Sequence, residues 1–464
     1  MMDHIQAIRA SSAKPPKSKM SDVMIRVSLF PCLQPLSIYL YTLAHALSHD
    51  GVTCQPLKEG HIRMSGVLEF LGWLTGLAWP LAYALTLIAA LRIPHLDDLC
   101  GTDQMASGTG DDTDADDPLP LLSVIVTARN EAASIRGAVS TILAQDYPAL
   151  EIVLVNDRST DGTDRIIDGM AAGDRRIVPV HIDHLPDGWL GKVHALEAGR
   201  ARTHGEWLLF CDADVHMAAG LLRKAVCAAR AQEVDHLSLI PRTLSTSYLQ
   251  EVVMRAFSLL FALAMRLWLP RRSRWAPAVG LGVFNMVRRS ALEATPGLAW
   301  LRMEVADDLG LGLLMKQAGK RSLLAQGNMD LEVVWYTDLV DMARGLEKNI
   351  FGVAAGWRLW RMLLLVLALW AWVLVPVLGL LLPGWLPWQA GAIAVLSQAV
   401  FVLILLASGA RFWRACLLLP LGVLIFSLFL LRAGIVCLWR GGIRWRDTFY
   451  PLAALRAGQL VRLP

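Results

Sequence analysis

Leu154-Val155-Asn156-Asp157-Arg158-Ser159-Thr160-Asp161-Gly162-Thr163 begins as an apolar run and ends in small and charged polar residues. Ile152-Val153-Leu154-Val155 has the unbroken apolarity of a strand buried on both faces, so Asn156-Asp157 marks its carboxyl end. In an open α/β sheet that edge is where ligands sit, which makes Asp157 a candidate contact. An aspartate after a strand is also ordinary turn chemistry, and this stretch alone leaves both readings open.

The pattern repeats on either side. Apolar runs at 122–127, 177–182 and 207–210 alternate with helical patterns at 134–144, 163–172 and 192–202, which predicts an α/β domain with a mostly parallel sheet covered by helices on both faces. Two more strand ends carry polar clusters, Thr127-Ala128-Arg129-Asn130-Glu131 and Asp212-Ala213-Asp214. Two carboxylates at such an edge can hold Mg²⁺ or Mn²⁺ when a diphosphate supplies the remaining oxygens. A lone Asp-x-Asp also arises by chance in many chains.

Of the 464 residues 55% are hydrophobic, above the ~45–50% of ordinary soluble chains. The excess lies at 66–93 and from about 359 to 439. The net charge is only +4, and the arginines cluster beside the apolar runs, which points to a membrane surface. No basic and aromatic interleaving of the kind that grips nucleic acid is present. Seven scattered cysteines form no C-x-x-C pair or metal spacing, as expected of reduced thiols. The scattered histidines, at 181, 184, 194, 204 and 216, form no zinc pattern.

Residues 66–93 are long and apolar enough to cross a bilayer. The polar residues 1–63 read as an irregular extension, with Met64 as the expected natural start. The expected organisation is a transmembrane helix over 64–95, an acidic solvated linker over 96–120, and a catalytic domain over 121–345. An interfacial helix near 252–270 belongs to that domain, with a buried core helix as the alternative. Residues 346–440 hold an interfacial helix and membrane segments (362–383, 389–410 and 415–437), and 441–464 form a basic tail. The positive-inside pattern puts Arg411 to Arg414 and the central domain in the cytoplasm, which gives a multi-pass inner-membrane protein. Three full crossings would leave the equally basic tail outside. Either one run is re-entrant, with Pro420 marking the last one, or the charge rule fails here.

Six pieces occur in one order: Ala128-Arg129-Asn130-Glu131, Gln145-Asp146-Tyr147-Pro148, Val155 through Thr163, Gly191-Lys192, Asp212-Ala213-Asp214 and Asp307-Asp308-Leu309. In these the chain resembles the family-2 glycosyltransferases of the GT-A fold, the nucleotide-diphospho-sugar transferase fold. The resemblance implies that Ala128, Arg129, Asn130, Glu131 and Asp157 form the nucleotide pocket. It puts Lys192 beside the donor phosphates, makes Asp212 and Asp214 the metal and diphosphate pair, and gives the role of general base to Asp308, with Asp307 as second choice. Glycosyl transfer needs a nucleophile stripped of its proton and a neutralised leaving diphosphate, which those residue types supply. An acidic pair at a helix amino terminus is also ordinary dipole compensation.

Processive relatives carry Gln-x-x-Arg-Trp after the base. Leu346-Glu347-Lys348-Asn349-Ile350-Phe351-Gly352 stands there instead, and with Gly441-Gly442-Ile443-Arg444-Trp445-Arg446 it is similar to bacterial members that glycosylate carotenoid acids or hopanoid-related lipids. The expectation is therefore an inverting transfer from a UDP-sugar, as nucleotide-sugar donor, to a lipid acceptor at the membrane. A processive polysaccharide synthase and a non-enzymatic nucleotide-binding transporter are the alternatives. Gly280-Leu281-Gly282-Val283-Phe284-Asn285 reads as a turn or as part of the acceptor side. Arg432, inside the last apolar run, reads as a bundle contact or a headgroup site.

Overall fold

Strands covered on both faces are apolar throughout, and the central segment folds accordingly. The computed structural model describes residues 59–100, 119–270, 279–383 and 386–462. The expected amino-terminal extension up to 58 and the acidic run at 111–117 lie outside the described residues. Strands β1 (Leu122–Ala128), β2 (Leu150–Asp157), β3 (Ile177–Ile182) and β4 (Trp207–Asp212) lie in the order β3-β2-β1-β4, all parallel. Beyond β4 the sheet continues through β7 (Asn285–Arg288), β6 (His236–Thr243), β8 (Ser322–Val333) and β5 (His216–Met217). It is mostly parallel, as expected, with β7 antiparallel to both neighbours.

Helices cover both faces: α2 (Ile135–Leu143), α3 (Thr163–Gly173), α4 (Gly191–Arg200) and α5 (Leu221–Ala231), after α1 (Glu59–Arg92). The turn into α3 needs Gly162, whose φ of +91° suits a residue without a side chain. Asp161 holds that turn by accepting from the Thr163 hydroxyl at 2.6 Å and from the Ala132 N–H at 3.0 Å. Further on lie α6 (Tyr248–Ala264), α7 (Asp307–Gln317) and α8 (Leu339–Leu346), then three long apolar helices, α9 (Leu359–Leu381), α10 (Trp388–Ala407) and α11 (Leu419–Arg440). A hairpin of β9 (Gly442–Trp445) and β10 (Thr448–Pro451) follows, so the expected basic tail has secondary structure of its own.

One sheet face packs Val124, Val126, Ile152 and Leu154 under α2, α3 and α5. The opposite face packs Ile125, Val153 and Val155 under α4 in a core that runs on into Met362 and Val366 of α9 and Phe426 and Leu430 of α11. The α/β layers and the apolar helices therefore share one core. Among the described residues four helices, α1 from Gly66 onward, α9, α10 and α11, are long and apolar enough to span a membrane. Their outward Leu, Val and Trp side chains would be costly in water.

Helix α6 presses Val252, Val253, Ala256 and Leu259 inward, and the Arg255 guanidinium lies over the Phe412 ring at 4.4 Å. Both ends of α11 meet the α/β layers: the Tyr248 hydroxyl donates to the Arg414 carbonyl at 2.8 Å just before it, and Arg432 and Arg440 each reach Glu347 at 2.7 Å near its end. Arg432 is thus a paired group. The linker ahead of the domain is anchored where it is described, with Leu96 buried and Asp97 paired to Lys224 at 2.7 Å.

Close helix packing rests on small residues. A Cβ added at Gly76 of α1 would stand 2.5 Å from the Ala390 carbonyl of α10, and one at Gly391 would strike the Pro376 carbonyl of α9. Gly391→Leu is expected to destabilise the protein by about 1–3 kcal/mol, because backbone cannot yield as a side chain does. Thermal unfolding in nanodiscs reads this, and an unchanged midpoint would contradict the packing.

Candidate active site

Parallel strands bring their carboxyl ends to one edge. Ala128 pairs with Asn156 across β1 and β2, and Thr127 pairs with Asp212 across β1 and β4. The three polar clusters therefore converge, and the loop into α7 adds a fourth acidic group. Together they line a cavity of about 530 Å³ whose walls include Ala128, Arg129, Glu131, Asp157, Lys192, Asp212, Asp214, Asp307 and Asp308. Of the residues expected from sequence, Asn130 is the one that does not line it. With φ at +56° its side chain accepts from the Thr160 N–H at 2.8 Å, and its own N–H donates to the Ser159 hydroxyl at 3.0 Å. It ties the turn after β1 to the turn after β2.

At one end, the Arg129 guanidinium donates to the Asp157 carbonyl at 3.0 Å. The Asp157 carboxylate is gripped from the side by Arg158, at 2.7 and 3.1 Å. Each carboxylate oxygen has two lone pairs, so capacity to accept from a nucleobase remains. Gly191 packs flat on this pair: a Cβ there would lie 2.7 Å from an Asp157 oxygen.

Lys192, on the first turn of α4, reaches Asp212 at 2.8 Å and Asp307 at 3.6 Å. Burial alone would lower the ammonium's pKa, but Asp212, then Asp307 and Asp308, outweigh it and raise it. The reciprocal effect keeps Asp212 low despite its own burial. Asp214 has no such cation. Burial, then Asp212 and Glu131, push it up to about 6, and among the described residues it makes no ion pair. Asp307 is raised as well, by burial first and then by Asp308 and Asp212.

Asp308 is held in place by backbone. Its carboxylate accepts from the Gly282 N–H at 3.1 Å and from the Leu309 N–H at 2.8 Å. Behind it, Asn285 donates to the Asp308 carbonyl at 3.3 Å and faces His236 at 2.6 Å. Burial pushes His236 down to about 4, so it is neutral, and the orientation of Asn285 makes its Nε2 the donor. The glycine-rich 280–285 segment therefore positions the acid as well as turning the chain.

From Asp308 the cavity turns apolar, between Phe257, Leu260 and Phe261 of α6, Leu365 and Leu369 of α9, and Phe426 and Leu430 of α11. Over the charged end lie Lys348, Trp445, Arg446 and Tyr450. The Tyr450 hydroxyl accepts from the Gly191 N–H at 3.0 Å, and Arg446 pairs with Glu131. Sequence reasoning gave these four no site role. The signal for three of them was the likeness of Leu346 through Gly352 and Gly441 through Arg446 to lipid-directed proteins, and no local pattern reveals where those segments meet.

The family model described as Glycosyl transferase family 2 matches residues 123–308. The beta-monoglucosyldiacylglycerol synthase of Synechocystis is 32% identical over 163 residues, which is 34% of this chain and 32% of that protein. The 4,4'-diaponeurosporenoate glycosyltransferase of Staphylococcus aureus is 34% identical over 94 residues, 20% of this chain and 24% of that one. The chain thus spans a quarter to a third of the length of these relatives. Among solved structures, the mannosyltransferase PcManGT of Pyrobaculum calidifontis, in complex with GDP-Man and Mn²⁺, aligns at a TM-score of 0.43 and 19% identity, covering 78% of this chain and 99% of that one.

Proposed function

We propose that this chain, whose residues 123–308 form a glycosyl transferase family 2 domain, is a membrane-bound inverting glycosyltransferase that moves a sugar from a nucleotide-diphosphate donor to a lipid acceptor. The observation that supports it best is the single cavity, charged where the strands end and apolar where it passes between α6, α9 and α11. A water-insoluble alcohol can place its body in the apolar part and its hydroxyl beside Asp308. Two of the relatives bear names with a lipid in them.

In this reading Asp308 takes the proton of the acceptor hydroxyl. The oxygen forms its bond to the anomeric carbon from the face opposite the diphosphate, and the carbon–oxygen bond to the diphosphate breaks with its electron pair leaving on that oxygen. One direct displacement inverts the centre. Lys192 meets the charge that develops on the leaving group. The proposed donor is a UDP-sugar.

The donor set fits a divalent cation. The wall carries Glu131, Asp157, Asp212, Asp214, Asp307 and Asp308 against Arg129, Arg158, Lys192, Lys348 and Arg446, one more acid than base, and its acids are hard oxygen ligands. Among the described residues no group of three or more His, Cys, Asp or Glu forms a closed metal cage. Asp214 and Asp212 would instead share Mg²⁺ or Mn²⁺ with the diphosphate, and the ion would supply charge neutralisation. Because Asp214 titrates at about 6, protons compete with the metal below that pH. Mn²⁺ affinity, measured by calorimetry, is expected to fall about tenfold per pH unit below 6 and to level off above 7. A flat profile from pH 5 to 7.5 would remove Asp214 from the site.

The same reading places the protein in the inner membrane with its catalytic layers in the cytoplasm. Helix α1 enters, α9 and α10 leave and return, and α11, one unbroken helix with both ends against the same α/β layers, lies along the membrane face on their side. Single cysteines at Leu386, Gly409 and Arg462 test this in sealed vesicles. Only the first should react from the outer side.

The function itself is tested with the full chain in detergent, Mn²⁺, a bacterial lipid extract, and labelled UDP- and GDP-sugars. Label in the organic phase, absent for Asp308→Asn, is expected. A long polymer would favour the processive synthase, and donor binding without turnover the transporter.

A further inference from the structure

Lys348 and Arg446 lie outside the segment that matches the family, in two regions far apart in sequence, yet both line the charged end of the cavity. Lys348 Nζ stands 4.6 Å from the Trp445 ring, and among the described residues it has no carboxylate partner. Burial, then the like charge of Lys192, lowers its pKa. An ammonium resting on an aromatic ring, within the field of Asp212 and Asp307 but in direct contact with neither, keeps its donors free for an anion from outside the protein.

Arg446 is odd in a different way. Trp445 pairs with Thr448, so Arg446 and Asp447 form a two-residue hairpin turn. Arg446 takes its first position with φ at +52°, where glycine is preferred and an arginine is strained. Its ion pair with Glu131 does not account for that strain, because the Arg446 side chain is 45% exposed and such pairs contribute little. A residue that costs the fold something and offsets little of it is better explained by what it binds.

We propose that Lys348 and Arg446, with Trp445 as the platform for Lys348, grip the donor's diphosphate together with Lys192, so that the hairpin beyond the last apolar helix forms part of the donor site. This rests on the transferase reading above. When the bond to the sugar breaks, the electron pair goes to the diphosphate oxygen, and these two cations stabilise it there. The acceptor's proton stays with Asp308. The diphosphate thus bridges the matched domain and the hairpin.

The test uses the full chain in nanodiscs with Mn²⁺ and, as probes, UDP and GDP beside UMP and GMP, read by calorimetry. The wild type is expected to prefer one diphosphate over its monophosphate. Arg446→Gly and Lys348→Met should each weaken that diphosphate about tenfold to a hundredfold while leaving the monophosphate unchanged. Arg446→Gly should at the same time hold or raise the melting temperature, since glycine suits the turn. Unchanged diphosphate preference in both variants would overturn the inference, as would a lower melting temperature for Arg446→Gly with equal loss of both nucleotides, which is what a purely structural latch gives. A wild type that binds none of the four probes would overturn the donor reading and this inference together.

Discussion

Asp308→Asn is expected to lower the rate of sugar transfer by about 10²–10⁴-fold while the donor still binds with wild-type affinity. The amide is the same size as the carboxylate, and its one oxygen can still accept from the Gly282 N–H, at the cost of the bond from the Leu309 N–H. What it loses is the ability to take a proton. The Asn285–His236 pair behind it holds the Asp308 backbone carbonyl, which the substitution leaves in place. Asp307 is the one carboxylate close enough in sequence to substitute, and it is turned toward Lys192. Single-turnover assays together with donor calorimetry make the measurement. Donor affinity falling in parallel with the rate would show that Asp308 belongs to the donor site and is not the base.

Asp214→Ala is expected to cost about 10²–10³-fold in activity and to abolish the Mn²⁺ dependence of donor binding, yet to raise the melting temperature of the metal-free protein. The opposite signs come from one cause. At neutral pH Asp214 is a crowded carboxylate beside Asp212 and Glu131, raised to about 6 because its charge is unwelcome in the absence of a cation. The sign follows from linkage. A carboxyl group raised in the folded state opposes folding once the pH exceeds its unfolded value, near 4, and the penalty is complete above 6. Removing the group therefore helps the empty protein at pH 7.5 and makes little difference at pH 3.5. Scanning calorimetry with and without Mn²⁺ decides it. A lower melting point for the metal-free variant would mean that Asp214 is a structural acid.

The parallel half of the sheet was legible because burial on both faces leaves a local mark. Near-continuous apolar runs placed β1, β2 and β4, the half-exposed edge strand β3 left the weaker pattern Ile-Val-Pro-Val-His-Ile, and the helix expected at 192–202 forms at Gly191–Arg200. The same logic put Asp157 and Asp212 on a common edge, and the register bears that out. What local pattern could not convey was the destination of segments joined only in space. Asn130 has the composition of a ligand contact but serves as a staple between turns. The arginines of 252–270 suggested reach toward headgroups. Arg255 is instead covered by Phe412, which lies far along the chain. Nothing in the spelling of Arg444-Trp445-Arg446 says that it folds back over Lys192.

The chain beyond α11 also secures the loop that carries the proposed base: the buried Glu304 carboxylate accepts from the N–H groups of Leu460 and Val461 at 2.6 and 2.9 Å, and from Ala306 at 3.0 Å. The loop into α7 is thus closed by residues made after α11. A nascent polypeptide can fold its sheet early, as amino-terminal domains do, but it lacks this clasp until α9, α10 and α11 have been made. In the transferase proposed above, the base would gain its support only once the apolar helices exist.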